Sequence, residues 1–125
     1  MAIMDDEARQ IIRRKWFHAL GEIADLDLQR RTWLDLTNTD NPHWYYIEFV
    51  CSYPSNEELA DGVKKGYLLP QEAEILIAFR QILVAHTSPT GDAWDNEAVL
   101  NDPAWHTVVK AAQTAFKELA ALPRP

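Results

Sequence analysis

The clearest helical pattern in the chain is NDPAWHTVVKAAQTAFKELA, residues 101–120. At its start, Asp102 can accept hydrogen bonds from free backbone amides, and Pro103 at the first helical position loses no hydrogen bond. Apolar residues then recur at spacings of three and four, which places them on one face. They are Trp105, Val108, Val109, Ala112, Phe116, Leu119 and Ala120. The stretch therefore predicts an amphipathic helix that packs this face into a core.

A second helix start has the same order of residues. Asp40-Asn41-Pro42-His43-Trp44 repeats the Asx-Asx-Pro-x-Trp order of residues 101–105. The residues that follow, up to position 53, are rich in Trp, Tyr, Ile, Phe and Val, which favour β-strands. We predict a helix because the capping chemistry is the same at both places. The alternative is an α+β fold with a short strand near residues 44–51.

Other helix boundaries are marked by Gly, Pro and capping residues. The first helix follows the apolar spacing of residues 5–25, with a break expected around residues 21–27 because Gly21 disfavours helix. A second apolar set comprises Leu26, Leu28, Trp33 and Leu34. Further starts are predicted at Ser55 or Asn56, at Pro70 and at Asp95, with a stop at Gly66. Together these features predict an all-α fold, a single irregular bundle of five or six helices over residues 1–125.

Composition narrows the classes of function. The chain has 125 residues, with 12 Lys and Arg against 19 Asp and Glu, for a net charge of −7. This charge is opposite to that of most nucleic-acid-binding domains, so a direct nucleic-acid partner is disfavoured. Cys51 is the only cysteine, so no intrachain disulfide forms. The acidic N-terminus and the lack of a long apolar run predict neither a secretory signal nor a membrane span, and hence a cytoplasmic protein.

A metal or general-base site is one hypothesis from the residues. His18 and Glu22 are four apart and Asp25 follows one turn later, a row that can bind a metal or hold a base. A solvated surface pair is the simpler interpretation. Phosphate-binding glycine loops, His-Glu-x-x-His and Gly-x-Ser-x-Gly are all missing from the sequence, and no cofactor is implied.

Two residues in the aromatic-rich segment also carry expectations. Cys51 follows an apolar run, so we expect a buried and inert thiol. Glu48 lies among aromatic residues, where a carboxylate needs a partner, and we expect an ion pair with Arg30 or Arg31; the alternative is a catalytic acid.

Charged residues cluster in two places. Arg13, Arg14 and Lys15 follow Arg9 by one turn and form either a solvated helix face or a contact for an acidic partner. The second cluster comprises Asp92, Asp95, Glu97 and Asp102, with Trp94 among them. An exposed aromatic residue surrounded by acids suits a surface that binds a basic cleft. The alternative is that Trp94 lies in the core while the acids cap helices.

One stretch of the chain resembles small bacterial immunity proteins that accompany contact-dependent or polymorphic toxins. The resemblance rests on Trp33-Leu34, Asn41-Pro42-His43-Trp44, Ile47-Glu48-Phe49 and Gly66-Tyr67-Leu68 with Glu72. It implies a cytoplasmic, non-enzymatic protein that binds and blocks one cognate toxin, with acidic groups in the toxin's active cleft.

Three functional hypotheses follow. The first is a binding protein that neutralises a basic toxin or nuclease through Asp92, Trp94, Asp95, Glu97 and Asp102. The second is a metal protein or hydrolytic enzyme that uses His18 and Glu22. The third is a structural subunit of a larger complex, with some aromatic residues at an oligomer face. The oligomeric state stays open in all three.

Overall fold

The computed structural model describes the backbone of residues 2–34 and 46–122, with side chains from residue 7 onward. Within these ranges the chain forms seven helices and no strand, and one helix has only five residues. The helices are α1 (Ala2–Ile23), α2 (Leu26–Trp33), α3 (Tyr46–Ser52), α4 (Asn56–Lys64), α5 (Pro70–Ala85), α6 (Asn96–Leu100) and α7 (Pro103–Ala121). The predicted all-α bundle is confirmed.

The aromatic-rich segment is helical where it is described. Helix α3 covers residues 46–52, so the alternative of a strand is wrong there. Local propensity for strand is overridden because Tyr46 and Phe49, three residues apart, both lie in the core on one helical face. The predicted cap at Asp40-Asn41-Pro42 lies outside the described residues.

The predicted helix boundaries reflect local hydrogen bonding. Ser55 and Glu58 form a reciprocal capping box at the start of α4, with N···O distances of 3.1 and 3.2 Å. After α4, Gly66 adopts φ +79°, and the amide of Tyr67 donates to the carbonyl of Gly62 at 2.7 Å. Pro70 opens α5 as expected. The break between the first two helices falls at residues 24–25, so α1 continues through Gly21.

Helix α7 lies at the centre of the packing. It contacts α1, α5 and α6, while α4 packs on α5, α2 packs on α1 and α6, and α3 contacts α1. The largest fully buried side chains are those of Trp105, Leu20, Ile23, Leu59, Leu76, Leu83, Leu100, Gln29 and Val99. No helix of the described residues has the length and apolar character that crossing a membrane requires.

Several apolar residues lie at the surface, among them the predicted core residue Phe116. Phe116 on α7 is 44% exposed, and Ile82 on α5 is equally exposed. Cys51 is exposed as well, so the expectation of a buried thiol is wrong. Cys51 lies near the end of α3, on the side of the helix opposite the face that holds Tyr46 and Phe49. The local sequence is apolar on both faces of α3, and only tertiary packing selects the buried one.

Candidate functional site

The candidate site is a loop between α5 and α6 that presents an aromatic side chain beside carboxylates. We call residues 87–97, that is this loop and the first two residues of α6, the acidic loop, since they carry Asp92, Asp95 and Glu97. Trp94 is 63% exposed in this loop, so the alternative that placed it in the core is wrong. Asp92 and Glu97 are also exposed. The structure thus brings together an exposed indole and acidic side chains at one surface.

Hydrogen bonds within the acidic loop order its backbone. The Gly91 amide donates to the Ser88 carbonyl at 3.0 Å, and Gly91 has φ +78°, a conformation that disfavours other residues. The Asp92 side chain accepts from the Trp94 amide at 2.9 Å. Asp95 caps α6 by accepting from the Ala98 amide at 3.1 Å. The backbone on both sides of Trp94 is therefore held in a defined conformation.

A buried chain of hydrogen bonds anchors the start of the acidic loop. His86, the C-cap residue that follows α5, has a side chain only 2% exposed. Its Nε2 lies 2.9 Å from Oδ2 of Asp102, and its Nδ1 lies 2.9 Å from the hydroxyl of Tyr46. Because an ionised carboxylate can only accept, Nε2 donates to Asp102, and in this tautomer of the neutral ring Nδ1 accepts from the Tyr46 hydroxyl. This network joins α5, α7 and α3.

The surroundings in this network shift the pKa values of Asp102 and Tyr46. Asp102 has its pKa lowered, mainly by the hydrogen bond from His86, with a smaller contribution from the Ala104 amide. Burial raises the pKa of Tyr46, and the negative charge of Asp102 raises it further. At neutral pH the network therefore holds an ionised carboxylate and a neutral phenol.

The other end of the acidic loop is tied to the same region. The side-chain oxygen of Asn96 accepts from the Tyr46 amide at 3.2 Å, and its amide group donates to the Trp33 carbonyl at 3.5 Å. The rings of Trp33, Tyr46 and Trp105 pack against one another, with Trp33 and Tyr46 edge to face at 6.1 Å. The acidic loop consequently sits on a rigid aromatic base.

Asp102 differs in role from the other predicted acids. One of its oxygens caps α7 by accepting from the Ala104 amide at 3.0 Å, as the sequence predicts. The other oxygen binds His86, and the side chain is only 14% exposed. Asp102 therefore supports the loop from beneath, while Asp92, Asp95 and Glu97 carry its surface charge. Sequence analysis missed His86 and Tyr46, since no local pattern relates residues 16 and 40 positions apart.

The residues of the metal hypothesis lie elsewhere, on α1 and just after it. His18 Nε2 is 3.6 Å from a carboxylate oxygen of Glu22, whereas Asp25 caps α2 by accepting from the Leu28 amide. Burial raises the pKa of Glu22, an effect that His18 partly offsets. Among the described residues, no group of three or more His, Cys, Asp or Glu is placed to hold a metal ion. Nothing in this geometry favours the metal hypothesis over a surface pair.

The ion pair of Glu48 with Arg30 or Arg31 stays a prediction. Glu48 is half-buried on α3, and Arg31 forms an exposed ion pair with Asp27 on α2, at 3.1 Å.

Comparison with known protein families, with curated proteins and with solved structures yields no match to this chain.

Proposed function

We propose that this protein is a non-enzymatic inhibitor that binds a basic protein, such as a bacterial toxin or nuclease, through the acidic loop. The observation that carries the proposal is the exposed Trp94 beside Asp92, Asp95 and Glu97 on an ordered loop. The resemblance to small bacterial immunity proteins supports the same class of partner and a cytoplasmic site of action.

The chemistry of such a surface suits a cationic cleft. Burial of an indole supplies a large apolar contact, and indole faces also attract Arg and Lys side chains. Carboxylates around it accelerate encounter with a basic partner and oppose acidic competitors. The hydrogen bonds that fix the loop before binding reduce the entropy lost on association. Each feature increases affinity for a basic partner without any catalytic group.

The test compares two double variants as baits in lysate from the native cell. Trp94→Ala with Glu97→Lys removes the indole and reverses one charge, and neither residue caps a helix through its side chain in the described structure. Ile82→Ala with Glu118→Lys removes an exposed aliphatic side chain and reverses one charge at exposed positions on α5 and α7. Captured proteins are eluted with increasing salt, and each eluted fraction is quantified by mass spectrometry.

We expect a basic protein that the wild type and the control variant retain and that salt releases. Its recovery on the W94A/E97K bait should fall at least about tenfold, as loss of a hot-spot aromatic residue costs about 2 kcal/mol or more. When the captured protein is produced in a sensitive cell, the wild type should restore growth and W94A/E97K should not. Equal recovery on both variant baits, or no protection by the wild type, would contradict the proposal.

A further inference from the structure

A second surface, separate from the acidic loop, lies along α1 and carries charges of both signs. Its outer side carries residues at spacings of three and four, all exposed except the half-buried Gly21 and Glu22. Together with Asp25, the N-cap of α2, we call them the α1 stripe: Ile11, Arg14, Lys15, His18, Gly21, Glu22 and Asp25. Over about 20 Å of helix the charge changes sign. Arg14 and Lys15 lie before His18, whereas Glu22 and Asp25 lie after it.

A groove of about 350 Å³ runs beside this stripe, between α1, the start of α2 and α7. Phe17, Gly21, Leu28 and Phe116 provide an apolar floor, with Arg14 near one end and Asp25 near the other. Phe116 is 44% exposed there, although it belongs to the apolar face of α7. An exposed aromatic floor between oppositely charged ends has the composition of a protein interface.

Gly21 is the residue that keeps the groove open. A Cβ added at Gly21 would meet the Phe116 ring at 3.5 Å, an ordinary van der Waals contact. Alanine therefore fits the fold and would stabilise a helix interior by about 1 kcal/mol. Gly21 therefore lowers the stability of the folded chain, and no packing contact within the chain requires it. Its missing side chain allows a partner to approach the backbone of α1 closely from outside.

We propose that two copies of this chain associate through antiparallel packing of the α1 stripe, the cationic end of each copy lying against the anionic end of the other. A two-fold axis near the middle of the stripe places Arg14 and Lys15 opposite Glu22 and Asp25 of the second copy. The symmetry repeats this contact, so it occurs twice per dimer. The same operation brings His18 near Gly21 of the second copy, where the missing side chain admits it, and directs Ile11 toward the groove beside Leu28. This surface is separate from the acidic loop, so the proposal is independent of the proposed function.

Charge complementarity selects the second copy as the occupant. An acidic partner would be repelled by Glu22 and Asp25, and a basic partner by Arg14 and Lys15. A stripe with one sign at each end best matches the same stripe reversed. Antiparallel helix pairs place such oppositely charged ends side by side.

Sedimentation equilibrium over a range of protein concentrations tests the proposal with two complementary variants. R14E/K15E makes both ends of the stripe acidic, and E22K/D25N makes both ends basic, with asparagine retaining the cap of α2. Each variant alone should dimerise at least about tenfold more weakly than the wild type, because like charges then face each other at both symmetric contacts. Mixed in equal amounts, the two should form a heterodimer, since both contacts become attractive again.

Two controls separate this interface from general charge effects. K64E/K110E makes the same change in net charge at exposed positions on α4 and α7, and it should dimerise like the wild type. Gly21→Ala should weaken dimerisation while it stabilises the monomer, an opposition that a structural role for Gly21 would not produce. A wild type that stays monomeric, single variants that dimerise like the wild type, or a mixture without heterodimer would overturn the proposal.

Discussion

Asp102 shows how one residue serves two structural roles. Its Oδ1 caps α7 and its Oδ2 binds the buried imidazole of His86. Only the first role can be predicted from sequence, because the Asp-Pro pair is a local capping signal. The second depends on α5 and α7 meeting in space. The residue predicted as a surface acid thus acts mainly as a support for the acidic loop.

The two roles of Asp102 separate in a pair of variants. Asp102→Asn keeps a good capping residue but loses the carboxylate charge beside His86, and we expect it to destabilise the protein by about 1 kcal/mol at neutral pH. Asp102→Ala loses both roles and should cost about 2 kcal/mol. Urea unfolding of both variants and the wild type measures these differences.

The pH dependence of the first variant has a definite sign. The pKa of Asp102 is lowered from its ordinary value of 3.8 in the folded protein. The carboxylate therefore contributes stability that is fully present above this value and is lost as pH falls through the lower folded pKa. The difference between wild type and Asp102→Asn should shrink toward zero as the pH falls below 3.8. A difference that stays constant with pH would show that the negative charge of Asp102 contributes nothing to stability.

Gln29 is a buried polar residue that sequence patterning does not single out. Its side chain is fully buried, accepts from the Trp105 indole at 2.8 Å and donates to the carbonyls of Glu22 and Ile23 at 3.0 and 2.9 Å. These carbonyls belong to the last turn of α1, and the Glu22 carbonyl also accepts from the Asp25 amide at 3.2 Å. Gln29 therefore links the end of α1 to the central tryptophan of α7.

At the scale of helices, local signals decide where each element begins and ends. The capping box of α4, Pro70 in α5 and the Asp caps of α6 and α7 all act within three residues of the position that they mark. The faces that helices bury are less determined. Phe116 lies on the apolar face of α7 and is nevertheless exposed, because the neighbouring helices do not cover the groove beside Gly21.

Two glycines within helices predict opposite effects of the same substitution. A Cβ at Gly62 in α4 would lie 2.8 Å from the buried indole of Trp16, too close for either group to keep its place. We expect Gly62→Ala to destabilise the protein by about 1–3 kcal/mol through this overpacking. Gly21→Ala in α1 meets only Phe116 at an ordinary distance and should stabilise the monomer by up to about 1 kcal/mol.

Chemical denaturation at low protein concentration, where the monomer dominates, checks both glycine variants. The pair serves as its own control, because both changes raise helix propensity equally and differ only in the space around the new methyl group. A stabilising Gly62→Ala would mean that α4 and α1 move apart at little cost.

At the scale of the whole molecule, one buried ion pair joins α1 to α5. The guanidinium of Arg13 binds both carboxylate oxygens of Glu72, whose side chain is only 3% exposed. Glu72 also accepts from the Leu69 amide at 2.9 Å, and Arg13 stacks over the Phe17 ring at 4.3 Å. The basic cluster of residues 13–15 is therefore divided: Arg13 is structural, while Arg14 and Lys15 face outward.

Removal of Arg13 should be far more harmful than removal of a surface arginine. Arg13→Met leaves the Glu72 carboxylate buried without its cation, and we expect a loss of about 3 kcal/mol in the free energy of unfolding. Arg31→Met, which breaks the exposed pair with Asp27 on α2, should cost less than about 0.5 kcal/mol. Thermal or urea unfolding of the two variants gives the comparison, and equal losses would contradict a structural role for the pair.

The sequence by itself determined the helical class, most helix ends and the position of the acidic loop, because capping, proline and glycine effects and apolar spacing act over a few residues. Tertiary structure alone decided that Trp94 and Phe116 are exposed, that His86 joins Asp102 to Tyr46, and that Arg13 binds Glu72. These contacts connect residues 16 to 59 positions apart. The way whole helices pack decides which side chains come into contact. A local sequence pattern does not specify that packing, so it cannot predict these contacts.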